Sequence, residues 1–372
     1  MKITHIETVH VKPRWLFLKI HVDTGMVGLG EATLEGRSRT VETALRELEP
    51  MLIGQDPRRI EHLWQTMYRG TFYRGGPVLT SAISGVEQAL WDILGKSLGV
   101  PVHQLLGGTV RDRIRVYGWI HAREGETWEQ ACRRALAGTR FTAFKIGPVP
   151  ASRFVETPAV VDDIAARVAV LREIAGKAID IAVDFHGRCS GAMAIRLARL
   201  LEPYQPMFIE EPVLPGDTEG LKHVARSTTI PIAAGERLMT RWQFQELIEQ
   251  RAVSILQPDL SHVGGIFEAR KIAAAAEPRN MAVAPHCPLG PVALAASLQL
   301  DACTPNFLCQ EHVTLGQDYL KTPFTLADGY VEVPRGPGLG IDLDDDKVES
   351  GRFEGDWQTP RWYLDDGSLT EW

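Results

Sequence analysis

Three acidic residues recur at a fixed interval, each closing a short apolar run: Asp184 in IAVDFH, Glu210 in MFIEEP and Glu236 in PIAAGE, 26 residues apart. That interval accommodates one strand, one helix and two loops. If each run is a parallel strand ending at its acid, three strands deliver three carboxylates to the same end of one sheet. Oxygen donors gathered in this way suit a hard divalent cation.

The same ruler runs on in both directions. VSILQPD closes at Asp259, MAVAPH at His286 and NFLCQE at Glu311, after intervals of 23, 27 and 25 residues. Upstream, TAFKIG ends near Lys145 and RVYGWI near Ile120. Eight runs therefore lie between about residues 115 and 311, separated by segments such as 160–174 and 266–276 in which apolar positions recur three and four apart. Eight strands alternating with helices predict an α/β fold built on a modified (β/α) TIM-type barrel.

A chain of 372 residues has room for such a barrel and a smaller unit. Residues 1–112 read as an α+β capping domain. Its first part is a strand meander, with Leu16, Leu18, Ile20 and Val22 on one face and a turn at Asp23-Thr24-Gly25. Helices follow near 40–52, 57–69 and 79–98, the last stopped by Gly99 and Pro101. Residues 113–320 form the catalytic barrel. Residues 321–372 return to complete the cap through short strands at 330–333 and 340–343, and end in an acidic, aromatic tail that is either a docked arm or frayed.

Composition removes several function classes. A net charge of −7 with no basic cluster to offset it argues against a nucleic-acid surface. No apolar stretch is long enough to span a membrane. Five cysteines, odd in number and without CxxC spacing, fit a reducing cytoplasmic setting.

The order Asp184, Glu210, Glu236, Asp259, His286, Glu311 behind an α+β cap resembles the mandelate racemase branch of the enolase superfamily. Within that branch the chain is most similar to the D-galactonate dehydratases, through stretches such as MYRGTFYRGGP, LLGGTVRD, VDFHGR, LEPYQPMFIEEPV, SILQPDLSHVGG, APHCPLGP and the terminal EW. The resemblance implies one Mg²⁺ per subunit on Asp184, Glu210 and Glu236, a sugar-acid substrate, and a homo-oligomer. The chemistry it implies is loss of water from an aldonate through an ene-diolate.

The residues fit those roles. His286 lies in a proline- and glycine-rich segment that cannot continue as a helix, so it should project from a strand end as a base. Asp259, closing the preceding run, could accept its other N–H and fix the tautomer. His186 follows Asp184 by two residues, and strand alternation would turn both to the same side. By resemblance it is the acid that protonates the departing 3-hydroxyl. Glu311, if protonated, could donate a hydrogen bond to the ene-diolate, a role that needs a raised pKa. Lys145 stands in Lys-Ile-Gly where racemases of this branch carry K-x-K, which argues against a two-base racemisation and leaves Lys145 as a substrate contact. Where the resemblance implies asparagine, this chain has Gly147, and the segment 148–158 also differs. Polyol contacts are expected from the cap loops, at Arg14, Trp15, Arg37, Tyr73 and Arg74.

Three other readings stand beside this one. The closest is a dehydratase for another aldonate or aldarate. A binuclear amidohydrolase would need an H-x-H pair on the first strand, where only His121 is available. A catalytically silent barrel serving in binding or assembly would not need both histidines and all three acids.

Overall fold

The computed structural model describes residues 1–138 and 140–372. The chain opens with an antiparallel meander, β1 (Ile3–Val11), β2 (Trp15–Val22) and β3 (Val27–Glu31). Trp15, Leu16, Phe17 and Leu18 are all buried, so β2 is covered on both faces. Trp15 and Phe17 pack edge-on against Tyr319 from the C-terminal part of the chain. Three helices follow: α1 (Ser38–Leu52), α2 (Ile60–Arg69) and α3 (Pro77–Leu98). The last packs against the sheet so closely that a Cβ on Gly30 would lie 2.0 Å from the Gly85 carbonyl. Gly99 ends it in the left-handed conformation, φ +70°, that glycine adopts without penalty. A single turn, α4 (Val102–Leu105), leads into the barrel.

A short strand, β4 (Arg113–Arg115), precedes seven parallel barrel strands: β5 (Gly118–Trp119), β6 (Ala143–Ile146), β7 (Asp180–Asp184), β8 (Phe208–Glu210), β9 (Ile232–Ala234), β10 (Ile255–Leu256) and β11 (Ala282–Val283). The helices between and after them are α5 (Trp128–Ala137), α6 (Pro158–Ala175), α7 (Gly191–Leu201), α8 (Thr218–Ser227), α9 (Thr240–Gln250), α10 (Ile266–Ala276) and α11 (Pro291–Ala302). The eighth apolar run forms no full ladder, yet it closes the ring. The Val283 N–H donates to the Asn306 carbonyl and the Leu308 N–H to the Val283 carbonyl, both at 2.8 Å. The Gln310 N–H reaches the Arg115 carbonyl at 2.9 Å.

Inside the ring sits one residue from each of the eight runs: Tyr117, Ala143, Ala182, Phe208, Ala233, Ile255, Ala284 and Cys309. Strand side chains alternate, so the residue two positions further along points the same way, one layer higher. From this layer, that step reaches Trp119, Lys145, Asp184, Glu210, His286 and Glu311. Glu236 is three residues beyond Ala233 and would turn outward, but Gly235 between them has φ +141° and breaks the alternation. A Cβ at Gly235 would come within 2.7 Å of the Phe244 ring.

The cap docks through buried acids. Glu31 accepts hydrogen bonds from the N–H groups of Gly290 and Ala293, at the start of α11 (2.7 and 3.0 Å). Glu87 does the same for Ile266 and Phe267 at the start of α10 (2.7 and 2.9 Å). Each carboxylate meets donors that the helix itself leaves unpaired.

Beyond residue 320 the chain divides its attention. Residues 330–333 were expected at the cap; instead β13 (Tyr330–Glu332) lies between β12 (Leu326–Ala327) and β4, with Arg113 stacked 4.2 Å over the Tyr330 ring. Arg115 at the end of β4 meets the eighth run through its carbonyl, and β4 pairs with β13 along Arg113–Arg115. After the short α12 (Asp345–Ser350), Arg352 bridges to Val11 of the cap. The tail is a docked arm rather than a frayed end. Among the described residues, no helix is long and apolar enough to cross a membrane, and the five cysteines are free and buried.

Candidate active site

One cavity at the C-terminal ends of the strands collects the groups that alternation lifts above the interior layer. It measures about 460 Å³, within the roughly 300–1,000 Å³ of small-molecule sites. Its wall includes Lys145, Asp184, His186, Glu236, His286 and Glu311. A second cavity of the same size, between α8 and α9, contains none of the histidines.

Lys145 lies at the centre. Its Nζ is 2.6 Å from Glu210 Oε1, 3.2 Å from Glu311 Oε1 and 3.5 Å from Asp184 Oδ2. Burial opposes its charge, but Glu210 and Glu311 outweigh burial and hold its pKa well above the usual lysine value. The indole of Trp119 lies 4.6 Å from the ammonium and donates its N–H to Glu311 Oε1 at 3.0 Å.

Glu311 also accepts the Cys287 N–H at 3.1 Å, so donors surround both its oxygens. Burial raises its pKa, yet Lys145 and then His286 pull it down to about 2. The protonated donor expected from the sequence needs a raised pKa, and the cation of Lys145 against the carboxylate acts in the opposite direction.

His286 donates from Nδ1 to Asp259 Oδ2 at 2.8 Å, and Asp259 Oδ1 is held by the Ser261 N–H at 2.7 Å. That leaves Nε2 facing the cavity, 3.6 Å from Glu236 Oε2 and 3.8 Å from Glu311 Oε2. Although burial opposes the imidazolium, Glu236 and Glu311 raise the His286 pKa well above its usual value.

His186 reaches the site differently from expectation. The strand stops at Asp184, and His186 sits in the turn beyond it with φ +50°. Asp184 Oδ1 accepts the His186 N–H at 2.8 Å, which folds the turn back and sets His186 Nε2 3.1 Å from Asp184 Oδ2, outside hydrogen-bond geometry. Burial, with the charges of Arg188 and Lys145, lowers its pKa to about 3.

Among the described residues, no three His, Cys, Asp or Glu side chains are drawn together tightly enough to hold a metal as they stand. The ammonium of Lys145 occupies the space between Asp184 and Glu210. The donor set nevertheless fits a cation: Asp184 Oδ2 and Glu210 Oε2 are buried without hydrogen-bond partners. Burial, then the charges of Glu211, Glu210 and Asp184, push Glu236 well above the ordinary carboxylate range. Uncompensated negative charge of this kind is what a bound dication relieves.

The cap's contribution also differs from expectation. Arg14 lines the cavity, donating to the Pro288 carbonyl at 3.1 Å and lying 3.5 Å from Glu35. Trp15 does not, because it is packed into the core against Tyr319. Arg37 turns outward to its neighbour's carbonyl. Tyr73, 83% exposed, and Arg74 lie on a separate surface groove of the cap, with Phe72 beside them. The cap instead supplies Leu34, Glu35, Gly76 and Pro77. The sequence reading also missed Trp119, Arg237, His262 and Trp372. Strand alternation from Tyr117 would have found Trp119, whereas Trp372 is brought in by the arm alone.

Known proteins bear on this geometry. Residues 3–107 match the N-terminal domain of the mandelate racemase / muconate lactonizing enzyme family, and residues 127–347 match the enolase C-terminal domain-like family. A D-galactonate dehydratase from Ralstonia nicotianae is 50% identical over the whole of both chains, and one from Klebsiella pneumoniae is 48% identical, again over both whole chains. An enolase from Agrobacterium radiobacter, solved with sodium and L-malate bound, superposes with a TM-score of 0.93 at 30% identity over 100% of each chain. A mandelate racemase/muconate lactonizing enzyme from Jannaschia sp. CCS1 gives 0.89 at 32% identity, covering 95% of this chain and 98% of its own. With both family models covering most of its length, the chain belongs to the enolase superfamily, in the mandelate racemase and muconate lactonizing enzyme family.

Proposed function

We propose that this protein is a Mg²⁺-dependent hydro-lyase that converts D-galactonate to 2-dehydro-3-deoxy-D-galactonate and water. The observation that carries the reading is the pair of histidines in one carboxylate-lined cavity, His286 fixed by Asp259 and His186 folded against Asp184. The roughly 50% identical relatives named D-galactonate dehydratase support the substrate. The cap 1–112 would cover the site, the barrel 113–320 would carry the chemistry, and the segment 321–372 would close over both.

Asp184, Glu210 and Glu236 would hold the Mg²⁺, whose charge, when bound, offsets the second negative charge that proton loss places on a carboxylate substrate. His286 removes the C2 proton through Nε2, with Asp259 fixing its tautomer. The bond from C3 to its hydroxyl breaks, and His186 supplies the proton that lets the group leave as water. The resulting enol takes a proton at C3 and releases one from oxygen to give the ketone. Lys145 and Arg14 supply positive charge for the acid end of the substrate and the cavity rim. Glu311 holds Lys145, Trp119 and His286 in register. Gly147, in place of a second lysine, leaves no opposing lysine base for racemisation.

The reverse assignment would make His186 the base and His286 the acid. Deuterium exchange separates the two: His186→Asn should still exchange the C2 proton with solvent, and His286→Asn should not. The opposite result exchanges the roles. For the substrate, purified protein with Mg²⁺ should release a 2-keto acid from D-galactonate and lose that activity in EDTA. Turnover of another aldonate or aldarate with none of D-galactonate would overturn the substrate assignment.

Two further points belong to this reading. The free, buried cysteines support a cytoplasmic location. Phe72 and Tyr73, 89% and 83% exposed on the cap, support a homo-oligomer, which size-exclusion chromatography with light scattering would test.

A further inference from the structure

The two histidines assigned to the chemistry are not equally supported. His286 has a buried acceptor on the ring nitrogen that faces away from the pocket. His186 has none: its Nδ1 is buried without a hydrogen-bond partner. It stands in a turn with positive φ, and the position facing its ring is Gly147, where a Cβ would lie 3.5 Å from His186 Cε1. The described contact that fills this gap comes from far along the chain. The indole of Trp372 lies 6.2 Å from the His186 ring, inclined at 53°. Trp372 is also part of the cavity wall, together with Thr359.

The arm that carries Trp372 is built rather than trailing. Residues 362–370 form a small hairpin in which the Thr370 N–H reaches the Trp362 carbonyl and the Leu364 N–H the Ser368 carbonyl, both at 2.9 Å. Its turn is Asp366-Gly367, with Gly367 at φ +83° and Asp366 Oδ1 accepting from the Ser368 N–H and hydroxyl (2.9 and 2.6 Å). Trp362 lies on the guanidinium of Arg188 at 3.9 Å, and Arg188 is itself tied to the Val149 carbonyl at 2.6 Å. Nearer the start of the arm, Trp357 lies 4.9 Å from the Arg14 guanidinium, and Arg39 donates to the Glu354 carbonyl at 2.6 Å. The arm is therefore fastened to the cap at Arg14 and Arg39 and to the barrel at Arg188, and its geometry aims Trp372 at His186.

We propose that Trp372 is the positioning residue for His186, doing for that ring what Asp259 does for His286, and that the 354–372 arm completes the leaving-group side of the cavity. The inference rests on the dehydratase reading for its kinetic consequence but not for its structural one. Trp372 is 41% exposed, so substitution leaves the core intact.

The test uses the full chain with Mg²⁺ and D-galactonate. In Trp372→Ala the dehydration kcat should fall on the order of 10- to 100-fold, the scale of a displaced catalytic group, while C2 exchange with solvent deuterium stays within about threefold of wild type. Trp372→Phe should recover most of the loss. Trp362→Ala, which leaves Trp372 in place but frees its anchor, should move the same ratio in the same direction. Equal losses of exchange and dehydration, or no loss of either, would overturn the proposal. A substrate-free measurement keeps it separate from the assigned activity. In protein labelled at histidine with ¹³C, the His186 Cε1–H resonance, assigned with His186→Asn, should shift and broaden in Trp372→Ala and in Trp362→Ala while that of His286 stays. An unmoved His186 signal rejects the positioning role even if dehydration falls. A moved signal in a protein that dehydrates no sugar acid leaves the positioning standing and removes the dehydratase reading.

Discussion

Lys145 Nζ lies 2.6 Å from Glu210 Oε1 at the bottom of the cavity, and the same ammonium faces Asp184 and Glu311. A single buried cation therefore holds together carboxylates that would otherwise repel one another. Lys145→Met should destabilise the cation-free protein by about 3–5 kcal/mol, the cost of leaving a buried charge without its partner. Thermal melts in EDTA would register this as a large drop in Tm, partly restored by Mg²⁺.

The buried oxygens of Asp184 and Glu210 without hydrogen-bond partners lead to a second expectation, for wild type. A site that binds Mg²⁺ only when folded gains about 2.7 kcal/mol when the ion is at 100 times its Kd. Denaturant titrations with and without the ion should show that gain, and Glu236→Gln should reduce it. An identical midpoint in EDTA and in Mg²⁺ would count against the three-acid assignment.

Asp259→Asn leaves the shape of the site but removes the charge that fixes the His286 ring. The expected result is a fall in kcat of roughly 10²-fold or more with little change in KM, measured by steady-state release of the 2-keto acid. A change confined to KM would place Asp259 in binding instead.

Buried acids at the cap interface make stability depend on pH in an unusual direction. Burial raises the Glu87 pKa from 4.5 to about 8, and its backbone hydrogen bonds only partly offset that. Below about pH 4.5 both folded and unfolded states carry the proton, and nothing is lost. Between there and about 8 the unfolded chain has released a proton that the folded one keeps, so stability falls as pH rises. Glu31, raised by burial to about 7, adds to the same slope. Urea unfolding from pH 5 to 9 should show the decline in wild type and a flatter profile in Glu87→Gln, whose stability at low pH should be lower by about 1–2 kcal/mol for the mismatched acceptor.

Gly235→Ala should be costly in proportion to its geometry. The added Cβ meets the Phe244 ring at 2.7 Å in a backbone conformation with φ +141°. A loss of about 1–3 kcal/mol is expected from the strain alone, together with weakened Mg²⁺ binding as Glu236 is displaced.

Much of this arrangement could be read from the chain before any coordinates. The intervals between Asp184, Glu210, Glu236, Asp259, His286 and Glu311 mark strand ends because a βα unit has a nearly fixed length, and the eight inward residues from Tyr117 to Cys309 bear out the count. Helix positions in the cap followed from apolar periodicity. What escaped depended on partners distant in sequence. Trp15 and Tyr73 look alike as loop aromatics, yet Tyr319 draws one into the core and nothing covers the other. Glu311 was given a raised pKa because Lys145, two strands away around the ring, could not be weighed against it. His186 was placed by strand alternation, but the strand ends two residues early and a turn does the placing. The Asp366-Gly367 turn was a legible signal of hairpin structure in the tail. That the hairpin would reach the cavity was not, since nothing local to residues 362–372 specifies what they lie on.

The carboxylates of Glu31 and Glu87, which terminate α11 and α10 from the cap side, limit how such a molecule can open. Swinging the cap away as a rigid lid would strip two barrel helices of their N-terminal partners at once and carry two buried acids into water. Access for a sugar acid must therefore come from parts without such anchors: the loops around Leu34 and Gly76, and the arm, whose grip on either side is a tryptophan laid on an arginine. Passage through this protein is a matter of side doors, with the two halves bolted together throughout the cycle.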